Sequence, residues 1–289
     1  MRWLIVVLVA ILAASPALGE QRERAARKVK AAVAGRASAP ELKSSSALVV
    51  DLTGRTLFAK NVDHVVPIAS ITKLMTAMVV IDAGLPLTEH IVISERDKDL
   101  IKGSRSRLRI GTVLTRRELL QLALMASENR AAEALSRVFP GGTSAFVAAM
   151  NQKAIELSMW RTRFVDGTGL SSDNVSTAQD LTKMVAAAYH YPLIRAFTTD
   201  SGMTVQVGKG RTMTYNNSNR LVKDREWQIG LSKTGYISEA GRCLVMQAKI
   251  AGKPVIIVLL DSWGKLTRIG DANRIKRWME TRAAADAPG

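Results

Sequence analysis

Cysteine occurs once in the 289 residues, at Cys243, so neither an intramolecular disulfide nor a thiolate-rich zinc or iron–sulfur site is available. Histidine occurs three times, at His64, His90 and His190, far apart and without the H-E-x-x-H spacing, so no protein-built metal site is expected. Neither G-x-x-x-x-G-K-[ST] nor G-x-G-x-x-G is present, which argues against nucleotide or dinucleotide chemistry and leaves no cofactor implied. Aromatic residues make up 5% of the chain, too few to interleave with basic residues as stacking platforms for nucleic acid. Acidic side chains are outnumbered, 25 against 41 Lys and Arg, and the resulting net charge of +16 points to an anionic partner or to a generally basic solvated surface. What is present is globular in character: 47% hydrophobic and 23% charged, with a length that allows one large domain or two smaller ones.

Long apolar runs are confined to the N-terminus. Arg2 precedes a twelve-residue apolar stretch at 3–14, followed by Ser15-Pro16-Ala17-Leu18-Gly19 with small residues placed for cleavage. Residues 1–19 read as a secretory signal peptide cut before Glu20, with an uncleaved signal anchor as the competing reading. A membrane span needs about 20 apolar residues, so no integral span is expected after cleavage. Residues 20–45 carry seven basic and three acidic residues, are rich in Ala and Ser, and read as a solvated basic linker. Export with a basic surface favours anions of the cell envelope over nucleic acid, and the single Cys243 avoids mispairing in an oxidising compartment.

The folded part spans 46–282, with a short tail at 283–289. Apolar, β-prone runs at 46–52 and 56–60 flank Thr53-Gly54-Arg55 and predict a hairpin. Three further strands are expected at 228–237, 242–250 and 254–261, then a terminal helix over 270–282. Helical patterns dominate between 68 and 200: 68–83, a helix opened by the capping box Thr115-Arg116-Arg117-Glu118, another at 144–159, and one opened by Ser176-Thr177-Ala178-Gln179. The simplest construction is an α+β domain. Its antiparallel five-stranded sheet comes from both chain ends (46–67 and 226–282), with a helical subdomain inserted over 68–225.

Three short elements carry possible chemistry. In Ser70-Ile71-Thr72-Lys73 a hydroxyl and an amine share one helix face, and Lys73 can serve as a base if burial and a neighbouring cation depress its pKa. The bland reading, a helix-capping serine, has weight of its own, because Ser262-Trp263-Gly264-Lys265 repeats the same spacing without opening a helix. Ser127-Glu128-Asn129 follows an apolar helix and is preferred over Ser172-Asp173-Asn174, whose context is a loop. Lys233-Thr234-Gly235, the one K-[ST]-G of the chain, offers donors to a carboxylate and a glycine that permits close approach to a strand. S-x-x-K, S-x-N and K-T-G together are the signature of penicillin-binding proteins and class A β-lactamases.

Longer stretches carry the resemblance further, namely Pro67-Ile68-Ala69-Ser70-Ile71-Thr72-Lys73-Leu74-Met75-Thr76, Leu124-Met125-Ala126-Ser127-Glu128-Asn129-Arg130-Ala131-Ala132, Arg163-Phe164-Val165-Asp166-Gly167-Thr168-Gly169-Leu170, and the segments at 174–181 and 233–236. Over nearly all of 46–280 the chain resembles the low-molecular-mass serine DD-peptidases, and within them the penicillin-binding protein 7 type of D-alanyl-D-alanine endopeptidase. The resemblance implies a DD-transpeptidase/β-lactamase-like fold, peptidoglycan peptides as substrate and β-lactams as covalent inhibitors. By position it makes Ser70 the acyl-enzyme nucleophile, Lys73 its general base and Ser127 the proton relay. Asn129 would hold the substrate amide, Lys233 and Thr234 its carboxylate, and the backbone N–H groups of Ser70 and Tyr236, beside Gly235, the oxyanion.

One departure stands out. The loop glutamate that drives deacylation in class A β-lactamases has no counterpart near Asp166, which reads as a turn residue, so slow release of β-lactams is expected. Glu128 reads as a surface residue. The expected protein is an exported, periplasmic serine DD-endopeptidase. A DD-carboxypeptidase, a β-lactamase-like hydrolase and a non-catalytic wall-binding module on the same fold are the rivals.

Overall fold

The structure is a computed structural model and describes residues 39–207 and 210–285. The signal peptide expected at 1–19 and the linker up to residue 38 lie outside the described residues. Five strands form the main sheet: β1 (Ser44–Asp51), β2 (Thr56–Lys60), β3 (Gln228–Ile237), β4 (Gly241–Ile250) and β5 (Lys253–Ser262). Their spatial order is β2-β1-β5-β4-β3, antiparallel throughout, so the sheet does unite the two chain ends and β3 lies at its edge.

β4 and β5 are near-continuous apolar runs because both faces of the sheet are covered. Alternate residues Leu48, Val50, Val245, Ile256 and Val258 pack against the helical block, while Val49, Leu244, Met246, Ile257 and Leu259 pack against the terminal helix through Ala272, Ile275, Trp278 and Met279. The helices are α1 (Lys73–Asp82), α2 (Arg116–Gln121), α3 (Asn129–Arg137), α4 (Gly142–Glu156), α5 (Ala178–Tyr189), α6 (Pro192–Thr199) and α7 (Thr267–Ala285). α1 is apolar nearly all round (Leu74, Met75, Ala77, Met78, Val79 and Val80 are buried), as suits a helix running through the middle of the domain.

The sheet starts earlier than 46. Asp271 of α7 is fully buried and accepts from Ser44 N at 2.7 Å and Ser44 Oγ at 2.6 Å, and Leu42 is already in the core, so this clip draws Ser44 into the strand. At the other end α7 runs on to Ala285, past the expected limit of 282. The inserted segment is not wholly helical either. Two-residue bridges join Val66–Pro67 to Val175–Ser176, and short ribbons pair His90–Val92 with Val113–Thr115 and Gly202–Gln206 with Thr212–Asn216.

One capping box stands as expected: Thr115 accepts from Glu118 N and Glu118 accepts from Thr115 N. The second differs. Thr177, not Ser176, caps α5 by accepting from Asp180 N, and Ser176 Oγ instead pairs with Thr162 Oγ1 at 2.8 Å. Asp180 rather than Gln179 is the third helical residue, and its carboxylate also takes Arg161 N, tying the preceding loop to the helix.

Candidate active site

The backbone that presents Ser70 is unusual. Ser70 belongs to a 3₁₀ turn, Ala69–Thr72, and α1 begins only at Lys73, so the expected continuous helix over 68–83 is replaced by a tight turn leading into a helix. Ala69 has φ +48°, a left-handed conformation that costs a non-glycine residue about 1–2 kcal/mol. Close packing on two sides holds it there. A Cβ at Gly169 would lie 2.0 Å from Ala69 O and 2.9 Å from Ser70 N, and one at Gly235 would lie 2.9 Å from Ile68 O and 3.1 Å from Ser70 N. Only glycine permits the 166–171 loop and strand β3 to close on the nucleophile turn from both sides.

Lys73 is fully buried, and its Nζ lies 2.8 Å from Ser70 Oγ, 2.7 Å from Asn129 Oδ1 and 2.6 Å from Thr168 O. Burial is the main reason its pKa is lowered to about 8, partly offset by the more distant charges of Asp166, Glu128 and Asp99. None of its three hydrogen-bond partners is ionised. Near neutral pH a usable fraction of the amine is therefore neutral and one hydrogen bond from the hydroxyl.

Ser127 follows a π-helical segment, Leu122–Ala126, and sits at φ +62°, which turns its hydroxyl out of the helix line. Glu128, at 9% exposure, is buried and not the surface residue expected. It caps α3 by accepting from Arg130 N, and accepts from Ser106 Oγ at 2.5 Å. Asn129, the first residue of α3, bridges the two sides: Oδ1 faces Lys73 while Nδ2 donates to Ser104 Oγ at 3.0 Å.

Lys233 comes in from β3, 1% exposed, and donates to Ser127 Oγ at 2.8 Å and to the Thr234 carbonyl at 2.9 Å. Its pKa is driven well down, first by burial and then by the positive charges of Lys73 and Arg268. The Thr234 hydroxyl donates to Ser218 Oγ at 2.7 Å. Arg268 of α7 donates to the carbonyls of Gly235 (2.8 Å) and Cys243 (3.2 Å). Because C=O and N–H of a trans peptide point in opposite directions, this hold turns the Tyr236 N–H away from β4 toward the open edge of the sheet. The Tyr236 ring is 56% exposed, with the Arg242 guanidinium 4.3 Å from its centroid.

The structure thus gathers Ser70, Lys73, Ser127, Asn129, Lys233, Thr234, Gly235 and Tyr236 around one cleft. The look-alike motifs are elsewhere: Ser262 pairs with Ser44 Oγ at the far end of β5, and buried Asn174 clamps its own loop through Val165 N, Asp166 N and Thr72 Oγ1. Asp166 is a turn residue, its carboxylate taken by Thr168 N, Thr168 Oγ1, Gly169 N and Ser171 N. Sequence reasoning missed Thr168, whose carbonyl helps hold Lys73, as well as Ser104, Ser106, Ser218 and Arg268. The Gly167-Thr168-Gly169 run was the one available signal among them. A cavity of about 480 Å³ between the β1–β2 turn and α7, lined by Asp51, Arg55, Trp278 and Arg282 among others, contains none of these site residues.

Comparisons with known proteins agree with this geometry. A family model described as D-alanyl-D-alanine carboxypeptidase matches residues 33–264. A D-alanyl-D-alanine endopeptidase of Pseudomonas aeruginosa is 49% identical over 250 residues, which cover 86% of this chain and 81% of that one. One from Escherichia coli is 47% identical over 261 residues, covering 90% and 84%. Among solved structures, the Streptomyces K15 DD-transpeptidase superposes with TM-score 0.77 at 29% identity, over 83% of this chain and 98% of that one. Penicillin-binding protein D2 of Listeria monocytogenes in its cefotaxime-bound form gives 0.73 at 29% identity, over 85% and 99%.

Proposed function

Because this chain belongs to the D-alanyl-D-alanine carboxypeptidase family of serine peptidases, we propose that it is a DD-endopeptidase that opens D-alanyl cross-links of peptidoglycan through an acyl-enzyme on Ser70. The observation that carries this reading is the 2.8 Å contact between Ser70 Oγ and a fully buried Lys73 with a depressed pKa.

Neutral Lys73 takes the Ser70 proton as Oγ bonds to the D-alanyl carbonyl carbon. The oxyanion is met by the N–H groups of Ser70 and Tyr236, aimed at one point by the Gly235 approach and the Arg268 hold. Ser127, hydrogen-bonded to Lys233, relays a proton to the leaving amine as the C–N bond breaks, and water then reverses the sequence to free Ser70. Asn129 holds the amide of the acyl-donor arm, and Lys233 with Thr234 holds the carboxylate of the leaving side. In the free protein the Thr234 hydroxyl donates to Ser218 Oγ, and an arriving carboxylate would take over that single proton.

β-Lactams acylate Ser70 and leave slowly, because the Asp166 carboxylate beside the cleft is committed to four donors in its own turn and is not free to activate water. The apolar stretch at 3–14 and its cleavage region support export to the periplasm, where the basic surface meets the anionic wall.

Mass spectrometry after penicillin treatment tests the reading: one adduct on the Ser70 peptide is expected, and none in Ser70→Ala. An unlabelled wild-type protein would instead favour a wall-binding module. Conversion of cross-linked dimeric muropeptides to monomers separates the endopeptidase from a carboxypeptidase, which would shorten monomers only.

A further inference from the structure

On the far side of the Asn129–Ser104 hydrogen bond lies a cavity of about 390 Å³ lined by Lys98, Asp99, Leu100, Ser104, Arg105 and Arg130, among others. Its connection to the chemistry is direct. Ser104 in its wall accepts from Asn129 Nδ2 at 3.0 Å, Asn129 Oδ1 faces Lys73, and Arg130 is the next residue along α3.

Three cationic side chains stand here against one carboxylate, and that carboxylate is occupied. Asp99 accepts from Ile101 N and Lys102 N at 2.8 Å and from Ser104 N at 2.7 Å, closing its own loop. Lys98 is paired with Glu95. Arg130 is fixed by a 2.6 Å bond from Nη1 to the Leu108 carbonyl, and Glu128 accepts from its backbone N–H, leaving the guanidinium without a carboxylate partner among the described residues. Arg105 is exposed, and its guanidinium has neither a hydrogen bond nor an ion pair among the described residues. Exposed Leu100 borders the same space.

We propose that this cavity is a carboxylate subsite for the acyl-donor arm of the substrate, with Arg105 as its principal cation and Arg130 behind it. The inference rests on the peptidase reading above, which places the acyl-donor amide on Asn129. The ligand is a peptide carrying a free carboxylate on a short aliphatic arm upstream of the scissile D-alanyl carbonyl. Lys233 and Thr234 serve the carboxylate on the other side of that bond, so the two anion sites bracket Ser70 and select a substrate charged on both sides.

The test uses paired synthetic D-alanyl-D-alanine peptides, identical except that the donor arm ends in a carboxylate or a carboxamide. Wild-type kcat/KM is expected to favour the carboxylate form roughly ten-fold, as for one partly solvated charge-assisted hydrogen bond. The preference should vanish in Arg105→Ala, reverse in Arg105→Glu, and shrink in 0.5 M salt as screening sets in, about 0.5 M being several-fold above physiological strength. No preference in the wild type, or one that survives Arg105→Ala and Arg105→Glu, would overturn the subsite. Absence of any penicillin adduct on wild-type Ser70 would instead overturn the peptidase reading beneath it.

Discussion

Replacing Lys73 by Met isolates the cost of burying a base. The two side chains are similar in length, so the substitution largely fills its own space. It leaves Asn129 Oδ1 and Thr168 O without their donor, a loss of about 1–3 kcal/mol each that does not vary with pH. The charge contributes with the opposite sign. A fully buried Lys73 at about 8 against an ordinary value of 10.5 means that its protonated form burdens the fold by about 3 kcal/mol. The folded pKa is the lower one, so between pH 8 and 10.5 the unfolded chain binds more protons and wild-type stability rises with pH across that window. Below pH 8 both states are mostly protonated and the burden is nearly constant.

From pH 7.5 to pH 10 the wild type should therefore gain about 2 kcal/mol on Lys73→Met. Urea unfolding of both proteins at the two pH values measures this double difference, in which the hydrogen-bond losses cancel. Glu133, pushed up to about 7 by burial and by Asp166 and Asp97, titrates in both proteins and cancels as well. If the two stability curves run parallel from pH 7.5 to 10, Lys73 is not a depressed buried amine, and the account of how Ser70 loses its proton fails with it.

Two further substitutions probe the scaffold of the cleft. Gly169→Ala would force a Cβ to within 2.0 Å of Ala69 O at a φ of +78°, so the nucleophile turn must shift, and penicillin acylation per folded molecule should fall at least ~100-fold; unchanged acylation would mean that the turn is not held by this loop. Glu128→Ala removes the cap on Arg130 N and the partner of Ser106, and should cost about 1–2 kcal/mol in chemical denaturation together with a drop in kcat through displaced Asn129, whereas a plain surface glutamate would change stability by less than about 0.5 kcal/mol.

Much of the architecture was legible in the sequence because it rests on local pattern. The three long strands are apolar runs punctuated by Gly241 and by Ala251-Gly252, and Thr115 with Glu118 spells out its own cap. What escaped depends on contacts distant in sequence. The left-handed Ala69 that opens the 3₁₀ turn ahead of α1 is held by residues 100 and 166 positions away, Gly169 and Gly235. Glu128 is buried because the segment carrying Ser106 folds over it, and Arg268 reaches the site only because α7 packs across β4. The short ribbons at 90–92 and 202–206 span three and five residues, too few for alternation to stand out.

These distant contacts share a purpose that concerns Lys73. A lysine can act as a base near neutral pH only if it is buried, and it tolerates burial only if acceptors surround it. Were any of those acceptors ionised, the ion pair would raise the pKa again and lock the proton on. The cleft meets both demands with a hydroxyl, an amide oxygen and a backbone carbonyl. Three carboxylates nevertheless stand close enough to be felt, and each is occupied by other donors: four at Asp166, three at Asp99, and two at Glu128. Loop hydrogen bonding that looks merely structural thus keeps acids from pairing with the amine, so Asp166 and Glu128 set the basicity of a residue they do not touch. Around Lys233 the same logic applies: burial and the neighbouring cations Lys73 and Arg268 press its pKa well down. A carboxylate arriving beside Lys233 and Thr234 would raise that pKa again, so substrate binding and protonation of Lys233 are coupled.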